Sequence, residues 1–318
     1  MPQNRISLIP YLRLFDTCIQ PILLYGAEIW SLDYLYKNTI QPEKNYLNFL
    51  PENVHLKFLK IIMGLQRSAV NIAVLSETGR FPLAIHAIKS TVSFWHHLVN
   101  LKDKTLAKDT YYHSFCNDIG ICNKLRLFLT SFNFTHVWEN QNTPSIKGLN
   151  RAITMKVKER YITYWRSCLN ENNHNYVSKL RTYKYIKEDY KQESYLLTDV
   201  DKEYVSIFSK LRISNSKLMI EEGRHTNLEV KDRICPLCKA DIENETHFVI
   251  ECLPLTPIRS ALYKDINDIV PEFHIFGNKE KFKFIMTSND QDINRICING
   301  IAKMYNSRLS SLPSNYHT

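Results

Sequence analysis

Glycine is scarce in this chain, with only 8 among 318 residues. Few positions can therefore adopt left-handed backbone conformations without strain, which disfavours a many-stranded sheet protein with tight turns. Apolar residues recur instead at helical spacing. This pattern predicts one long helix over residues 82–101 and another over residues 201–222 with a break near Ser214. Residues 42–51, which begin and end with proline, are predicted as a linker.

Long apolar runs and secretory features are also missing. No stretch of 18 or more apolar residues occurs, and no basic segment followed by an apolar one opens the chain. We therefore expect an intracellular protein, nuclear or cytoplasmic, that is neither secreted nor bound to a membrane. Eight cysteines are too sparse for a disulfide scaffold, so the thiols are predicted to be free, buried or bound to metal.

Common catalytic motifs are absent from the sequence. It contains no Gly-rich phosphate loop, no Gly-x-Ser-x-Gly and no His-Glu-x-x-His. It has no Asp-Asp dipeptide either. Asp199 and Asp201 are two residues apart, and a solvated helix start explains them better than a catalytic pair. We accordingly predict no catalytic residues and no enzymatic activity of the chain's own.

A cluster of potential metal ligands lies near the C-terminus. Cys235 and Cys238 are separated by two residues, His247 follows after eight more, and Cys252 after a further four. Thiolate and imidazole ligands at such spacings are typical of tetrahedral zinc. Four protein ligands leave no open position for water, so the site is predicted to be structural and the cofactor to be Zn²⁺. His225 is an alternative ligand. The alternative to a metal site is that these four side chains are unrelated in the structure.

Zinc is expected to hold residues 233–262 together, because this segment has too few apolar residues for a core of its own. The remaining cysteines are isolated in the sequence and are interpreted as small buried hydrophobic residues. They are Cys18, Cys116, Cys122, Cys168 and Cys297.

Positive charge is concentrated in one region. The chain has a formal net charge of +9, and residues 151–191 contain ten basic against four acidic residues, with tyrosine and tryptophan interleaved. Cations neutralise phosphates and aromatic rings stack on unpaired bases, so this composition predicts nucleic-acid binding. The predicted contact residues are Lys156, Lys158, Arg160, Tyr164, Trp165, Arg166, Lys179, Arg181, Tyr183, Lys184, Lys187, Arg224 and Arg233. The alternative is an ordinary pair of amphipathic helices with aromatic residues inward and lysines outward.

Several segments of the sequence resemble parts of one protein family. They are LFDTCIQPILLYGAEIW at residues 14–30, HLKFLK at 55–60, MGL at 63–65 and NIAVLSETGRFPL at 71–83. The first resembles the segment just past the polymerase palm in non-LTR (LINE-type) retrotransposon reverse transcriptases, and the others resemble the region that follows. The cysteine cluster, with ENETHF at 243–248 and Arg259, resembles the CCHC zinc knuckle of the same proteins. Order and spacing agree over residues 12–263.

The resemblance implies a thumb, a linker and a zinc knuckle, which in that family hold template RNA and target DNA during reverse transcription. The palm, with its catalytic aspartates, and any endonuclease domain are expected upstream and are not in this sequence. We therefore expect a truncated or decayed copy, or a gene model that begins late. RNA and/or DNA are the predicted partners, together with a polymerase palm supplied by another chain.

The combined prediction is a mainly α protein with a small zinc-stabilised α+β knuckle. Four consecutive segments are expected: a helical thumb-like region (1–140), a basic and aromatic helical linker (141–225), the knuckle (226–265), and C-terminal helices with a frayed tail (266–318). Three functions remain open: a nucleic-acid-binding fragment of a transposable element, a zinc-stapled helical scaffold for protein interaction, and a remnant without function.

Overall fold

The protein is mainly helical, as predicted. The computed structural model describes residues 8–35, 42–142, 145–170 and 179–312. Within these ranges β structure is limited to two isolated antiparallel bridges, Thr78 with Gln192 and Ile234 with Ile242. No helix in the same ranges combines the length and the apolar character that crossing a lipid bilayer requires. The tail after Leu312, predicted to be frayed, lies outside the described residues.

The helices follow one another with short connections. In chain order they are α1 (Leu8–Leu14), α2 (Gln20–Leu23), α3 (Ala27–Leu35), α4 (Pro42–Leu47), α5 (Leu50–Ile62), α6 (Asn71–Glu77), α7 (Ala84–Val99), α8 (Leu106–Cys116), α9 (Gly120–Ser131), α10 (Thr135–Asn140), α11 (Ile146–Asn170), α12 (Arg181–Ile186), α13 (Lys202–Arg212), α14 (Met219–His225), α15 (Thr256–Asn267), α16 (Asn278–Thr287) and α17 (Gln291–Ser310). Single π-helical turns occupy Phe15–Ile19 and His247–Glu251, and short 3₁₀ segments occupy Ser194–Leu197, Val230–Asp232, Leu253–Leu255 and Pro271–Ile275.

The chain divides into two compact units. The described parts of one come from Met1–Arg13, Lys57–Arg80 and Leu169–Thr318, and we call it the metal-site unit because it contains the cysteine cluster. The other comprises Leu14–Leu56 and Phe81–Cys168, and we call it the α7 unit. Each unit draws on separated parts of the sequence. The four consecutive segments expected from the sequence stay a prediction.

Helix α7 is the centre of the α7 unit. The predicted helix over residues 82–101 is confirmed within a few residues at each end. Its apolar side is buried at Ile88, Val92 and Trp95, and the indole N–H of Trp95 donates to the Tyr111 hydroxyl at 3.0 Å. The side chain of Glu52 is buried and accepts a hydrogen bond of 2.6 Å from the backbone amide just before α7 begins. A carboxylate at a helix N-terminus stabilises the helix.

The predicted linker over residues 42–51 is wrong. Helix α4 begins at Pro42 and helix α5 begins at Leu50, so Pro51 lies in the first turn of α5. Proline is tolerated in the first helical turn, where its missing N–H would have no intrahelical partner. Two prolines therefore mark two helix starts here.

The metal-site unit packs its C-terminal helices closely. The break predicted near Ser214 is confirmed, since α13 ends at Arg212 and α14 begins at Met219. Helix α17 packs against both α13 and α15. Gly300 permits the second of these contacts: a Cβ atom built there would lie 2.8 Å from a methyl group of Leu262 in α15.

We expect Gly300→Ala to destabilise this helix contact. The added methyl group must displace Leu262, which is buried, and overpacking of a core costs about 1–3 kcal/mol. Chemical denaturation monitored by circular dichroism measures the loss. Gly148→Ala is the matched control, because Gly148 is also helical and its added Cβ would meet no atom closer than 3.5 Å. Equal stability of the two variants would contradict the prediction.

Candidate metal centre

The first two candidate ligands lie on a tight turn. The backbone amide of Cys235 donates to the carbonyl of Asp241 at 2.8 Å, next to the Ile234–Ile242 bridge. The amide of Lys239 donates to the carbonyl of Cys235 at 2.9 Å, and Lys239 has a left-handed φ of 55°. These bonds fold the Cys-x-x-Cys segment back on itself, which directs both thiols to the same side.

The other two ligands stand at the ends of a π-helical turn. The amide of Cys252 donates to the carbonyl of His247 at 2.8 Å, closing one wide turn. The side chain of Asn244 accepts from the amide of His247 at 2.9 Å and begins this turn. Single π-turns are frequent at functional sites. This one brings an imidazole and a thiol that are five residues apart to a common point.

The four predicted ligands meet. The donor atoms of Cys235, Cys238, His247 and Cys252 all lie within 4.8 Å of one another. The Cys235 and Cys252 sulfurs are 3.7 Å apart, and the Cys238 sulfur is 3.4 Å from Nε2 of His247. Zn–S and Zn–N bonds of about 2.3 and 2.0 Å imply tetrahedral edges of roughly 3.8 and 3.5 Å. The arrangement is therefore compatible with zinc, and the sulfur separation is far longer than a disulfide bond.

A second possible metal-binding group includes the same histidine together with two carboxylates. Asp241, His247 and Glu251 also offer donor atoms within 4.8 Å of one another, but both carboxylate residues are exposed. Nδ1 of His247 is 3.9 Å from a carboxylate oxygen of Glu251, whereas Nε2 faces Cys238. Carboxylates commonly orient metal-bound histidines through the second ring nitrogen. His225, the alternative ligand considered from the sequence, is exposed and belongs to neither group.

The thiols differ in their protonation energetics. Burial, reinforced by the neighbouring Cys235 sulfur, raises the pKa of Cys252 far above its usual value. Burial likewise raises the pKa of Cys235. Burial also acts to raise the pKa of Cys238, but hydrogen bonds from the backbone amides of Ala240 and Asp241 outweigh it and the pKa is lowered. A bound dication reverses the penalty on the buried thiols by favouring their thiolate forms.

Buried arginines hold the segment around these ligands. Arg308 of α17 donates to both carboxylate oxygens of Glu243, at 2.6 and 2.7 Å, and both side chains are buried. The Cys235 thiol lies 3.8 Å from the same carboxylate. Arg259 of α15 donates to the carbonyls of Val249 and Cys252 at 2.9 and 2.7 Å. The site is thus joined to two helices of the metal-site unit rather than standing alone.

The apolar residues of the segment share that support. Phe248, Val249, Ile250 and Leu255 are buried, and the ring of Phe248 packs edge-on against Tyr305 of α17. Zinc is expected to hold residues 233–262 together because they have too few apolar residues for a core of their own, and these contacts add a second source of stability. The segment also contributes to the core of the metal-site unit, which sequence reasoning missed because α17 begins about 40 residues further along the chain.

Several predicted nucleic-acid contacts are buried. Trp165 and Tyr183 are fully buried, and the Tyr183 hydroxyl is 2.7 Å from that of Ser76. Lys187 is buried in an ion pair with Glu193. Neither ring presents a face to a base and the Lys187 ammonium cannot reach a phosphate, so these three assignments are wrong. The alternative with aromatic residues inward applies to Trp165 and Tyr183, whereas the buried Lys187 fits neither interpretation.

Other predicted contacts are engaged within the protein. In α11, Lys156 donates to the carbonyl of Phe132 at 2.9 Å, Lys158 lies over the ring of Phe81, and Arg160 pairs with Glu43. All three are half-buried. Tyr164 in the same helix is half-buried against Tyr161.

In the metal-site unit, most of the predicted contact residues also bind other groups of the protein. Arg181 forms ion pairs with Glu221 and Glu245, and Arg224 pairs with Glu221. The guanidinium of Arg233 donates to the backbone carbonyls of Ile220 and Leu228. Lys179 is half-buried, with its ammonium 3.5 Å from the carbonyl of Ser68. Lys184 in this unit and Arg166 in the α7 unit are exposed.

Helix α11 carries two further exposed cations that the predicted set omitted. Lys147 and Arg151 are exposed, lie four residues apart, and share a side of the helix with Arg166. None of the three forms an ion pair within the described ranges. The composition of residues 151–191 indicates a positive charge, but the structure of α11 is needed to show which basic side chains face solvent.

Comparison with known proteins gives no match: no protein-family model, no curated protein and no solved structure is similar to this chain. The resemblance to retrotransposon reverse transcriptases consequently stays a prediction.

Proposed function

We propose that this protein is a nucleic-acid-binding module, stabilised by a structural zinc ion and related to the C-terminal region of non-LTR retrotransposon reverse transcriptases. The observation that carries the nucleic-acid part is the solvent face of α11. This 25-residue helix has six basic residues and a single carboxylate, and Lys147, Arg151 and Arg166 remain exposed. Such a surface attracts a polyanion.

The spacing of these cations suits a nucleic-acid backbone. At 1.5 Å rise per residue, Lys147 and Arg151 are about 6 Å apart along the helix, and Arg151 and Arg166 about 22 Å. The shorter separation is comparable with that of neighbouring phosphates on one strand, and the longer one spans several nucleotides. Met155 lies between the cations and is half-exposed, so a base can also contact an apolar side chain there. We infer that α11 binds the backbone and does not read base edges.

The zinc part is supported by the ligand set. Cys235, Cys238, His247 and Cys252 would hold Zn²⁺ as a closed, four-ligand site, and the ion would supply folding stability rather than chemistry. We propose that the Ile234–Ile242 bridge is the core of the short hairpin of an α+β zinc knuckle.

Binding to single-stranded RNA over a salt series tests the proposal. We expect the triple variant Lys147→Ala, Arg151→Ala, Arg166→Ala to bind about 10- to 100-fold more weakly at low salt, because its phosphate contacts are lost. Each lost contact lowers the slope of log affinity against log salt by about 0.7, so the slope should fall by about 2. Fluorescence polarisation with a labelled oligonucleotide measures both quantities.

A variant of equal net charge provides the control. Lys102, Lys264 and Lys303 are exposed and lie outside α11, so replacing all three by alanine removes the same charge elsewhere. We expect this variant to retain most of the affinity and the slope of the wild type. Equal weakening in both triple variants would show that net charge alone drives binding, and no binding by the wild type at low salt would refute the proposal.

A protein-interaction role is the second candidate, favoured by an apolar surface on the α7 unit. Ile22, Tyr25 and Ile29 are 76%, 88% and 63% exposed, which is unusual for neighbouring large apolar residues. The resemblance suggests a polymerase palm, supplied by another chain, as the partner of this surface. Tight binding of such a domain by a protein that does not bind RNA at low salt would favour this candidate over the first.

A further inference from the structure

An open cleft lies within the α7 unit, between α2–α3 and α7. Its volume is about 580 Å³, within the usual range for sites that bind small molecules. Pro21, Leu24 and Phe94 provide apolar lining. The side-chain amide nitrogen of Gln20 is 3.2 Å from Nδ1 of His86, and this contact joins α2 to α7 at the cleft.

The polar lining of the cleft is chemically varied. Glu28 of α3 and Lys89 of α7 both line it, and neither forms an ion pair with any residue that the structure describes. Both charges are therefore available to a ligand. Ser90 and Ser93 add hydroxyl groups from the same face of α7. A ligand with an anionic group, hydrogen-bond donors and a flat apolar face would match this set.

A buried amide orients one of these hydroxyls. Asn150 of α11 is buried and donates through its side-chain nitrogen to the Ser93 hydroxyl oxygen at 2.8 Å. Because this bond occupies the oxygen as an acceptor, the hydroxyl proton of Ser93 is left to donate elsewhere. Asn150 is not among the residues that line the cleft, so it acts on the cleft by orienting the Ser93 hydroxyl.

We infer that this cleft binds a guanine nucleotide. A carboxylate accepts two parallel hydrogen bonds from the Watson–Crick edge of guanine, through N1–H and the exocyclic amine, whereas the other bases offer it only one such donor group. Glu28 would read that edge, Lys89 would neutralise the phosphate, and the ring of Phe94 would contact the face of the base. The serine hydroxyls would donate to the guanine O6 or to the phosphate.

The nucleotide has two possible sources, a free mononucleotide and an unpaired guanine within a bound strand. The second rests on the proposed function, because it requires that the protein bind a strand. The two sources share their chemistry and differ in the length of ligand that the protein captures.

Titration of the full chain with ribonucleoside monophosphates tests the inference. We expect saturable binding of GMP, weaker binding of AMP, CMP and UMP, and weak binding of guanosine and of inorganic phosphate alone. Glu28→Gln should bring GMP and AMP affinities close together. Lys89→Ala should weaken all four nucleotides on the order of tenfold and leave their ratio unchanged. Lys102→Ala, which removes an exposed lysine outside the cleft, should change nothing.

Two oligonucleotides of equal length, one with a single central guanine and one without guanine, distinguish the sources. If the ligand is an unpaired residue of a strand, Glu28→Gln lowers affinity for the guanine-containing strand alone. Equal binding of all four mononucleotides, or GMP binding that Glu28→Gln and Lys89→Ala leave unchanged, would overturn the inference. RNA binding that depends on Lys147, Arg151 and Arg166 can persist in that case. Failure of the guanine-nucleotide inference is therefore distinguishable from failure of the proposed function.

Discussion

Replacing Cys252 by serine is expected to remove zinc and to lower the thermal stability of the metal-site unit. A ligand that binds only the folded state stabilises it by about 4 kcal/mol when present at a thousand times its Kd. For a unit of this size that free energy corresponds to a fall in Tm of roughly 8–16 °C. The buried position of Cys252 adds to the loss, since a hydroxyl replaces a thiol where no water reaches.

Elemental analysis and calorimetry measure the two parts of this prediction. We expect one zinc per chain in the wild type and none in Cys252→Ser. Chelation of the wild type should reproduce most of the fall in Tm and should have little effect on the variant. Cys116→Ser is the control, because Cys116 is an exposed thiol in the α7 unit, contrary to the prediction that it is buried. A wild type that contains no zinc, with a Tm that is insensitive to chelation, would refute the zinc site.

The metal ligands were predictable because the information is local. Cys235 and Cys238 share one turn, and His247 and Cys252 flank another, so ligand identity and spacing alone indicate the site. The residues that support the site are not local. Arg308 reaches Glu243 across 65 positions of sequence, and no periodicity predicts a pairing of that range. In a single sequence, an arginine that is buried in the fold cannot be distinguished from one that is exposed.

The direction in which a side chain points was the main source of error. A helix with many basic and aromatic residues has two sides, and composition does not assign residues to them. Trp165 and Tyr161 lie four residues apart on the buried side of α11, whereas Arg151 and Arg166 lie on the solvent side. The buried residues of α11 recur every four positions. This spacing identifies the buried side of the helix when the apolar positions are considered before the charged ones.

A buried ionic network in the metal-site unit carries the second large prediction. Arg212 of α13 donates to both carboxylate oxygens of Glu77 at 2.9 Å and pairs with Glu193 at the same distance. Lys187 completes the network through Glu193, and the guanidinium of Arg212 lies over the ring of Tyr195. Arg212 and Glu77 are fully buried, so each charge depends on its partners.

We expect Arg212→Met to destabilise the protein by about 3–5 kcal/mol, because it leaves the Glu77 carboxylate buried without its principal partner. Denaturation by urea measures the loss. Arg295→Met in α17 is the control: its ion pair with Asp292 is exposed, and such pairs contribute less than about 1 kcal/mol. Adding Glu77→Gln to Arg212→Met should recover part of the loss, since the unpaired charge is then removed.

The same network predicts how stability depends on pH. Burial acts to raise the pKa of Glu77, but Arg212 and Lys187 outweigh it and hold the pKa below its ordinary value. A depressed pKa in the folded state means that the unfolded chain takes up the proton first as pH falls. The stabilisation is therefore complete above the unfolded pKa of about 4.3 and is lost below it. Glu77→Gln should make urea denaturation less dependent on pH in this acidic range, and an unchanged dependence would show that Glu77 is not held ionised by Arg212.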